Sequence, residues 1–318
     1  MKICSQLFAV WLVCCNAGST YAQKPEAWPA QAWGEVDPVE VGMQSDLLED
    51  AKRYALTAGG SGLISRHGKV VTRWGDQRKR YDIKSTTKSF GATMLGVALS
   101  DGVVKLEDLA KHHYPSFGTP PSGQPHSDWA AKITLLHLAT QTAGFDKPGG
   151  YEKILFEPGT QWHYSDGGPN WLAECLTLKY RRDLRDVMFE RIFTPIGIAE
   201  DDLTWRKNQY RDDEIDGIKR REFGAGIHAN VDALARLGFL YLREGRWRDQ
   251  QLLSKSFVRF ATRPVDDVIG LPEWDGGKSQ GNASDQYGLL WWTNADGSLR
   301  RVPRDAYWAW GLYDSLII

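Results

Sequence analysis

The order of hydrophobic patterns along this chain most restricts its possible folds. The stretch SGLISRHGKVVTRWGD, residues 61–76, alternates around His67-Gly68, which predicts a β-hairpin. From residue 84 to about residue 180, apolar residues recur every three to four positions and predict helices, and strand-like segments return at 223–229, 285–294 and 307–318. Strands at both ends of a helical middle predict one sheet-containing domain with a helical insertion.

We therefore expect a mixed α/β (α+β) fold, with an antiparallel sheet flanked by helices and an inserted all-helical subdomain. The expected sheet-containing part is residues 23–84 and 222–318, and the helical part is residues 85–221. Active sites commonly lie in the cleft between two such parts.

Composition and charge exclude several kinds of partner. The 318 residues are 42% hydrophobic and 25% charged, and 39 basic residues nearly balance 40 acidic ones. The chain has no run of like charge, so neither a nucleic acid nor an anionic membrane surface is indicated. We expect a monomer that acts on a small molecule and has no integral membrane segment after processing.

The first 22 residues predict a secretory signal. They contain one lysine, a short apolar stretch and a small-x-small sequence that ends at Ala22. Cleavage there predicts export, to the periplasm or out of the cell. A lipoprotein signal at Cys14 or Cys15 fits less well, because neither cysteine follows Ala or Gly. Three of the four cysteines lie in this segment, which leaves Cys175 without a disulfide partner and predicts no metal site built from cysteines.

Ser85 and Lys88 form a Ser-x-x-Lys motif in DIKSTTKSFGATMLG, residues 82–96. The two side chains lie one turn apart on one face of a predicted helix, as a nucleophile and its base would. Serine is also a common helix cap and lysine a common surface residue, so this motif alone is weak.

Three further motifs follow in order: TLLHLATQTAGF (134–145), FEPGTQWHYSDGG (156–168) and GAGIHANVDALARLGFLYLREG (224–245), and Thr134 is the expected N-cap of a helix in the first of them. With IKSTTKSF they resemble the β-lactamase and penicillin-binding-protein-like serine hydrolases, particularly the class C β-lactamase and family VIII esterase branch. The resemblance runs from about residue 61 to the end. It implies that Ser85 is the nucleophile of a covalent acyl-enzyme, that Lys88 and Tyr164 activate it, and that no metal or other cofactor is used.

Asp166 stands where this family usually has asparagine, and we count it as a substrate-binding candidate. A carboxylate about 4 Å from Lys88 would favour the charged lysine by roughly 4 kcal/mol at an effective dielectric constant near 20. That disfavours Lys88 as the base and favours Tyr164, although the same carboxylate would also raise the pKa of Tyr164. The alternative is that Asp166 caps the helix that begins at GGPNWLAE.

The strand expected at the edge of the site departs from the family pattern. Where relatives carry Lys-Thr-Gly or His-x-Gly, YWAWGLYDS places Ala309, Trp310 and Gly311. The glycine still permits a close approach of substrate to the backbone. The cation that would hold a substrate carboxylate is missing, which argues against β-lactams and peptidoglycan stem peptides. The resemblance implies an oxyanion hole formed by the N–H groups of Ser85 and Leu312, with Trp310 and Gly311 contacting substrate.

A Ser-His-Asp site is disfavoured because the chain has no Gly-x-Ser-x-Gly elbow. His163 adjoins Tyr164, and we interpret it as a loop histidine that points the opposite way. Two pairs of tryptophans, Trp291 with Trp292 and Trp308 with Trp310, are expected to place one member of each pair in the core and the other toward an acyl pocket.

These observations predict a serine hydrolase of an ester or amide, closer to an esterase than to a true β-lactamase. A β-lactamase or D-amino acid peptidase or amidase is the alternative, and a further alternative is a catalytically weak binding or sensor protein that keeps the fold. Residues 307–318 resemble an inner strand, after which family members continue. The resemblance therefore implies that a C-terminal strand and helix are missing.

Overall fold

The structure is a computed structural model that describes residues 27–121, 123, 127–274 and 282–318. The predicted signal, residues 1–22, lies outside the described residues. The α-helices are α1 Ser45–Leu56, α2 Thr87–Ser100, α3 Ala110–His113, α4 Leu135–Thr140, α5 Gly167–Tyr180, α6 Leu184–Met188, α7 Thr194–Ile196, α8 Val231–Leu242 and α9 Lys255–Ala261. A 3₁₀ turn, Lys84–Thr86, leads into α2, and a π-helix, Phe189–Phe193, joins α6 to α7.

The strands are short and form several small ladders. They are β1 Gly34–Glu35, β2 Gly62–Arg66, β3 Lys69–Trp74, β4 Tyr81–Asp82, β5 Leu203–Trp205, β6 Glu214–Ile215, β7 Ile218–Lys219, β8 Ile227–Ala229, β9 Arg246–Trp247, β10 Gln250–Gln251, β11 Trp292–Thr293, β12 Tyr307–Gly311 and β13 Ser315–Ile317. The three-stranded orders are β1-β3-β2, β4-β8-β5 and β11-β12-β13, all antiparallel except for the β1–β3 pair. The mixed α/β fold predicted from the sequence is confirmed.

The hairpin of β2 and β3 turns at His67 and Gly68, as predicted. Both residues have positive φ, 52° and 78°, which a tight turn matched to the strand twist requires. β5 lies within the stretch predicted to be helical, yet it pairs with β8. The division of the chain into two subdomains stays a prediction.

The last twelve residues differ from the sequence prediction. Residues 307–318 are not one inner strand, because β12 ends at Gly311 and the chain turns back. Tyr313 and Asp314 adopt left-handed φ values of 66° and 58°, and β13 returns antiparallel with Ser315 opposite Gly311. β12 is still an inner strand, with β11 on one side and β13 on the other.

Two buried helices, α2 and α5, form the centre of the fold and pack against each other. Residues 87–98 of α2 are all buried, because that sequence, apart from Lys88, is small or apolar on every face. α4 lies beside α5 and begins with a reciprocal capping box, as the predicted cap Thr134 suggested. Its hydroxyl accepts from the N–H of His137, and the His137 ring accepts from the N–H of Thr134, both at 3.2 Å. This packing brings the start of α2 next to the start of α5. No helix in the described ranges is long and apolar enough to cross a bilayer.

Candidate active site

Ser85 lies in the 3₁₀ turn between β4 and α2. The preceding residue, Lys84, has φ of 50°, an uncommon conformation for a residue with a side chain. Asp82 holds it there, since one carboxylate oxygen accepts from the Lys84 N–H at 3.0 Å and the other contacts the Lys84 ammonium at 2.6 Å. This turn places Ser85 at the N-terminal end of α2, where the helix dipole favours developing negative charge.

Lys88 lies one turn further along α2, and its side chain is only 2% exposed. Its Nζ donates to Ser85 Oγ at 3.1 Å and to the carbonyl oxygen of Gly224 at 2.8 Å. It also contacts Asp166 Oδ1. The predicted nucleophile and the predicted lysine are therefore joined directly.

Tyr164 comes from the loop before α5 and completes the predicted trio. The Lys88 Nζ lies 4.7 Å from the centre of the Tyr164 ring, and the Ser85 side chain is near enough to the Tyr164 hydroxyl to affect its pKa. Trp292 also packs near the Tyr164 ring, with ring centres 5.6 Å apart. Ser85, Lys88 and Tyr164 thus meet in one place although the chain separates them.

Asp166 occupies the N-cap position of α5, but its side chain makes no capping hydrogen bond. The capping alternative is therefore wrong. Instead the carboxylate lies between two lysines, with Oδ1 on Lys88 and Oδ2 at 2.7 Å from Lys147 Nζ. Lys147 is a residue that the sequence reading missed. A single lysine in a loop with proline and glycines is usually a surface residue, and the residues next to it in the sequence do not indicate that it pairs with Asp166.

The loop that carries Lys147 is fixed by hydrogen bonds. The Lys147 carbonyl accepts from the N–H of Asp166 at 2.9 Å. Asn170 Nδ2 donates to the carbonyl of Gly149 at 3.0 Å, and the buried Arg211 donates to that of Gly150 at 2.6 Å. The Lys147 side chain remains 41% exposed, so this lysine joins the buried site to solvent.

Asn170 also connects α5 to the segment before β8. Its Oδ1 accepts from the N–H groups of Phe223, at 3.1 Å, and Gly224, at 2.9 Å. These two bonds direct the Gly224 carbonyl toward Lys88.

The electrostatics of the site differ from the sequence expectation. Burial lowers the pKa of Lys88, against the opposing effect of Asp166. Burial, and then the Asp166 carboxylate, raise the pKa of Tyr164 far above its ordinary value, while the Ser85 side chain acts in the opposite direction. The expectation that Asp166 keeps Lys88 charged and leaves Tyr164 as the better base is therefore not supported by the directions of these shifts.

Burial alone would raise the pKa of Asp166, but Lys88 and Lys147 hold it below the ordinary value. The carboxylate is therefore ionised in the folded protein at neutral pH. Burial and the charge of Lys88 lower the pKa of Lys147, while Asp166 opposes both effects.

β12 and β13 lie directly against the 3₁₀ turn Lys84–Thr86, which carries the predicted nucleophile and which we call the nucleophile turn. A Cβ atom on Gly311 would come within 2.1 Å of the Ile83 carbonyl oxygen, so only glycine fits there. Thr86 Oγ1 donates to the carbonyl of Ser315 on β13. The N–H of Leu312 follows Gly311 immediately, and its pairing with the Ser85 N–H as an oxyanion hole stays a prediction.

The residues of β12 divide between two faces. Ala309 is 1% exposed and lies opposite Ile317, whereas Trp310 is 43% exposed and contacts Trp292, with ring centres 5.7 Å apart. Trp308 pairs directly with Trp292 and shares its face. A cation at position 309 would therefore point away from the face that carries Trp310. Contrary to the sequence expectation, the lack of one there does not by itself argue against carboxylate substrates.

The predicted split of the tryptophan pairs holds for only one of them. Trp291 packs on Tyr241 in the core, with ring centres 4.5 Å apart, while Trp292 faces Tyr164. Trp308 and Trp310 share one face, because they are two positions apart on a strand.

The remaining candidates lie apart from this chemistry. His163 packs edge-on against Trp274, and its Nε2 lies 4.0 Å from Asp146, as a loop histidine. Cys175 is buried in α5, and burial raises the pKa of its thiol. Within the described ranges, no group of three or more His, Cys, Asp or Glu side chains is placed to hold a metal ion.

The sequence profile of the Beta-lactamase family matches residues 48–312. The chain belongs to the β-lactamase family of serine hydrolases. It is 26% identical over 294 residues to the D-alanyl-D-alanine-carboxypeptidase/endopeptidase AmpH of Escherichia coli (strain K12), covering 80% of this chain and 71% of AmpH. The family resemblance read from the motifs is confirmed.

Solved structures agree on the fold. A Bacteroides dorei protein assigned as a β-lactamase superposes with a TM-score of 0.65 at 14% identity, over 84% of each chain. EstCE1, a hydrolase with promiscuous acyltransferase activity, superposes with a TM-score of 0.60 at 14% identity, over 86% of this chain and 91% of its own. At these identities the likeness shows the fold alone.

Proposed function

We propose that this β-lactamase-family protein is an esterase that hydrolyses carboxylic esters through an acyl-enzyme on Ser85. The observation that carries the proposal is the position of Ser85 Oγ, 3.1 Å from the Nζ of buried Lys88, with the Tyr164 ring 4.7 Å from the same Nζ. A serine hydroxyl becomes a useful nucleophile only when a base removes its proton, and this arrangement provides one.

In the acylation step, Lys88 accepts the proton of Ser85, and Oγ forms a bond to the ester carbonyl carbon. The bond to the leaving alcohol oxygen then breaks, and that oxygen takes a proton from Lys88 through the neutral hydroxyl of Tyr164. A water molecule repeats the sequence in deacylation and releases the acid. Lys88 is the proposed base because burial lowers its pKa, while that of Tyr164 is raised.

The proposed oxyanion hole consists of the N–H groups of Ser85 and Leu312. Two features support it: the dipole of α2 favours negative charge at Ser85, and Gly311 allows β12 to approach the nucleophile turn closely. Such donors stabilise the charge that develops on the carbonyl oxygen.

Preference for an uncharged ester is supported by the face of β12 that carries Trp310. That face offers an indole ring, and Ala309 lies on the opposite face. An aromatic surface suits an apolar acyl or alcohol group.

A D-amino acid peptidase is the second candidate. The relation to AmpH favours it, as does the 41% exposed ammonium of Lys147, which could face a substrate carboxylate. The proposed esterase function also includes export of the protein, a monomeric state and the oxyanion donors Ser85 and Leu312.

The decisive experiment compares the wild-type protein with Ser85→Ala on p-nitrophenyl butyrate, nitrocefin and a D-alanyl-D-alanine peptide. We expect the ester to be the best substrate and the substitution to lower kcat by about 10⁴-fold or more. Labelling with a fluorophosphonate should be lost in the same variant. Unchanged turnover in Ser85→Ala would refute the nucleophile, and faster turnover of nitrocefin or the peptide would refute the ester preference. Absence of both turnover and labelling in the wild type would favour a binding protein.

A further inference from the structure

Lys147 lies in the site but has no part in the steps above. Its Nζ is 2.7 Å from Asp166 Oδ2, while Lys88 contacts Oδ1 of the same carboxylate. We propose that Lys147 is a positioning residue whose ammonium neutralises Asp166, which leaves Lys88 free to lose its proton and act as the base toward Ser85. This inference rests on the proposed function, since it concerns the base of the same reaction.

The reason lies in the summed charge of three groups. With both lysines protonated, Lys88, Lys147 and Asp166 together carry one positive charge, and after Lys88 loses its proton they are neutral. Without Lys147, the same proton loss would leave the Asp166 carboxylate, which is only 19% exposed, without a counter-charge, and that is costly. Lys88 would then be held as an ammonium by Asp166.

The pair also accounts for the departure from the family pattern. Asparagine at position 166 would be neutral and would need no counter-charge. Asp166 and Lys147 together have the same net charge as that amide. Aspartate in place of asparagine at position 166 is therefore compatible with Lys88 as the base only when Lys147 lies beside it.

Exposure decides which lysine keeps its proton. The side chain of Lys88 is 2% exposed and that of Lys147 is 41% exposed. Desolvation penalises the charged form more strongly where burial is greater, so Lys88 gives up its proton at a lower pH than Lys147.

Other titratable groups also face the two lysines. Glu222 acts on Lys88 as a further negative charge, and Asp146 accepts from the backbone N–H of Lys147 at 2.7 Å. Burial lowers the pKa of His163, so it supplies no positive charge near neutral pH. The groups that face one lysine or the other are Ser85, Asp146, His163, Tyr164, Asp166 and Glu222.

The test is a double-mutant cycle read as the pH dependence of kcat/KM for p-nitrophenyl butyrate. Activity requires neutral Lys88, so it rises with pH through the pKa of that lysine. Lys147→Gln should move this rise to higher pH by about 1 to 3 units, the usual effect of a charge within 4–6 Å. Asp166→Asn should move it to lower pH, and the double variant should return close to the wild-type profile.

Lys153→Gln is the matched control, because Lys153 is an exposed lysine whose carbonyl accepts from the N–H of Asp146 in the same loop. It should leave the profile unchanged, and Lys147→Arg should preserve it as well.

An unchanged profile in Lys147→Gln, or a double variant no better than Lys147→Gln, would overturn the inference. If Lys147→Gln does not fold, Asp166→Asn carries the test, and an unshifted profile in that variant is the contrary result. Ser85→Ala distinguishes the two levels: if it stays active, the proposed function fails, whereas an inactive Ser85→Ala with an unshifted Lys147→Gln refutes only the role of Lys147.

Discussion

Replacing Gly311 with alanine tests how the end of β12 supports the reaction. The added Cβ atom would lie 2.1 Å from the Ile83 carbonyl oxygen and 3.1 Å from the Thr86 nitrogen. Real Cβ atoms essentially never come closer than 3.0 Å, so β12 and the nucleophile turn must move apart by about 0.9 Å. Both neighbours are backbone atoms and cannot rotate away.

That displacement would move the N–H of Leu312 relative to Ser85. A misplacement of about 1 Å costs about 10²-fold in rate, and loss of one oxyanion donor costs about 10²–10³-fold. We therefore expect Gly311→Ala to lower kcat on p-nitrophenyl butyrate by about 10²–10³-fold, with a smaller change in KM.

The assay is steady-state kinetics at pH 8, with thermal melting of each variant. Gly34→Ala on β1 is the control, since its Cβ would meet only the Lys69 side chain at an ordinary 3.9 Å. It should keep both kcat and Tm. A folded Gly311→Ala protein whose kcat stays within about threefold of the wild type would refute the proposed oxyanion hole, because a donor normally contributes far more.

Two further substitutions test the acyl surface and the support of the lysine. Trp310→Ala removes an exposed ring that contacts Trp292. KM for aryl and longer acyl esters should rise several-fold, which corresponds to roughly the 1 kcal/mol of one aromatic contact, while Tm stays the same. Equal KM values across ester lengths would contradict this prediction. Asn170→Ala leaves two buried N–H groups without their acceptor and no longer holds the Gly224 carbonyl at Lys88. The free energy of unfolding should therefore fall by about 1–3 kcal/mol, and kcat should fall with it. An unaltered midpoint of chemical denaturation would count against this prediction.

Features that depend on residues a few positions apart could be predicted from the sequence. The spacing of Ser85 and Lys88 within one helical turn, the cap at Thr134 and the turn at His67 are all of this kind. Their geometry follows from backbone periodicity and from side chains that bond to nearby N–H groups, which tertiary packing leaves intact. The order of the motifs was also sufficient to indicate the family, and with it Tyr164.

Contacts between distant residues were decided only by the tertiary structure. Asp166 is 78 positions from Lys88 and 19 positions from Lys147, and no periodicity links them. The two ammonium groups share one carboxylate because α2 and α5 pack side by side and the loop of Lys147 is bonded to the start of α5.

The sequence by itself determined that this chain forms a mixed α/β fold and carries a serine and a lysine on one helical face. It did not determine which face of β12 looks toward the site, because the turn after Gly311 and the pairing of Ala309 with Ile317 fix that face. Nor did it determine the protonation of Lys88 and Tyr164. Those states depend on burial and on the summed charges around them, which exist only once the chain has folded.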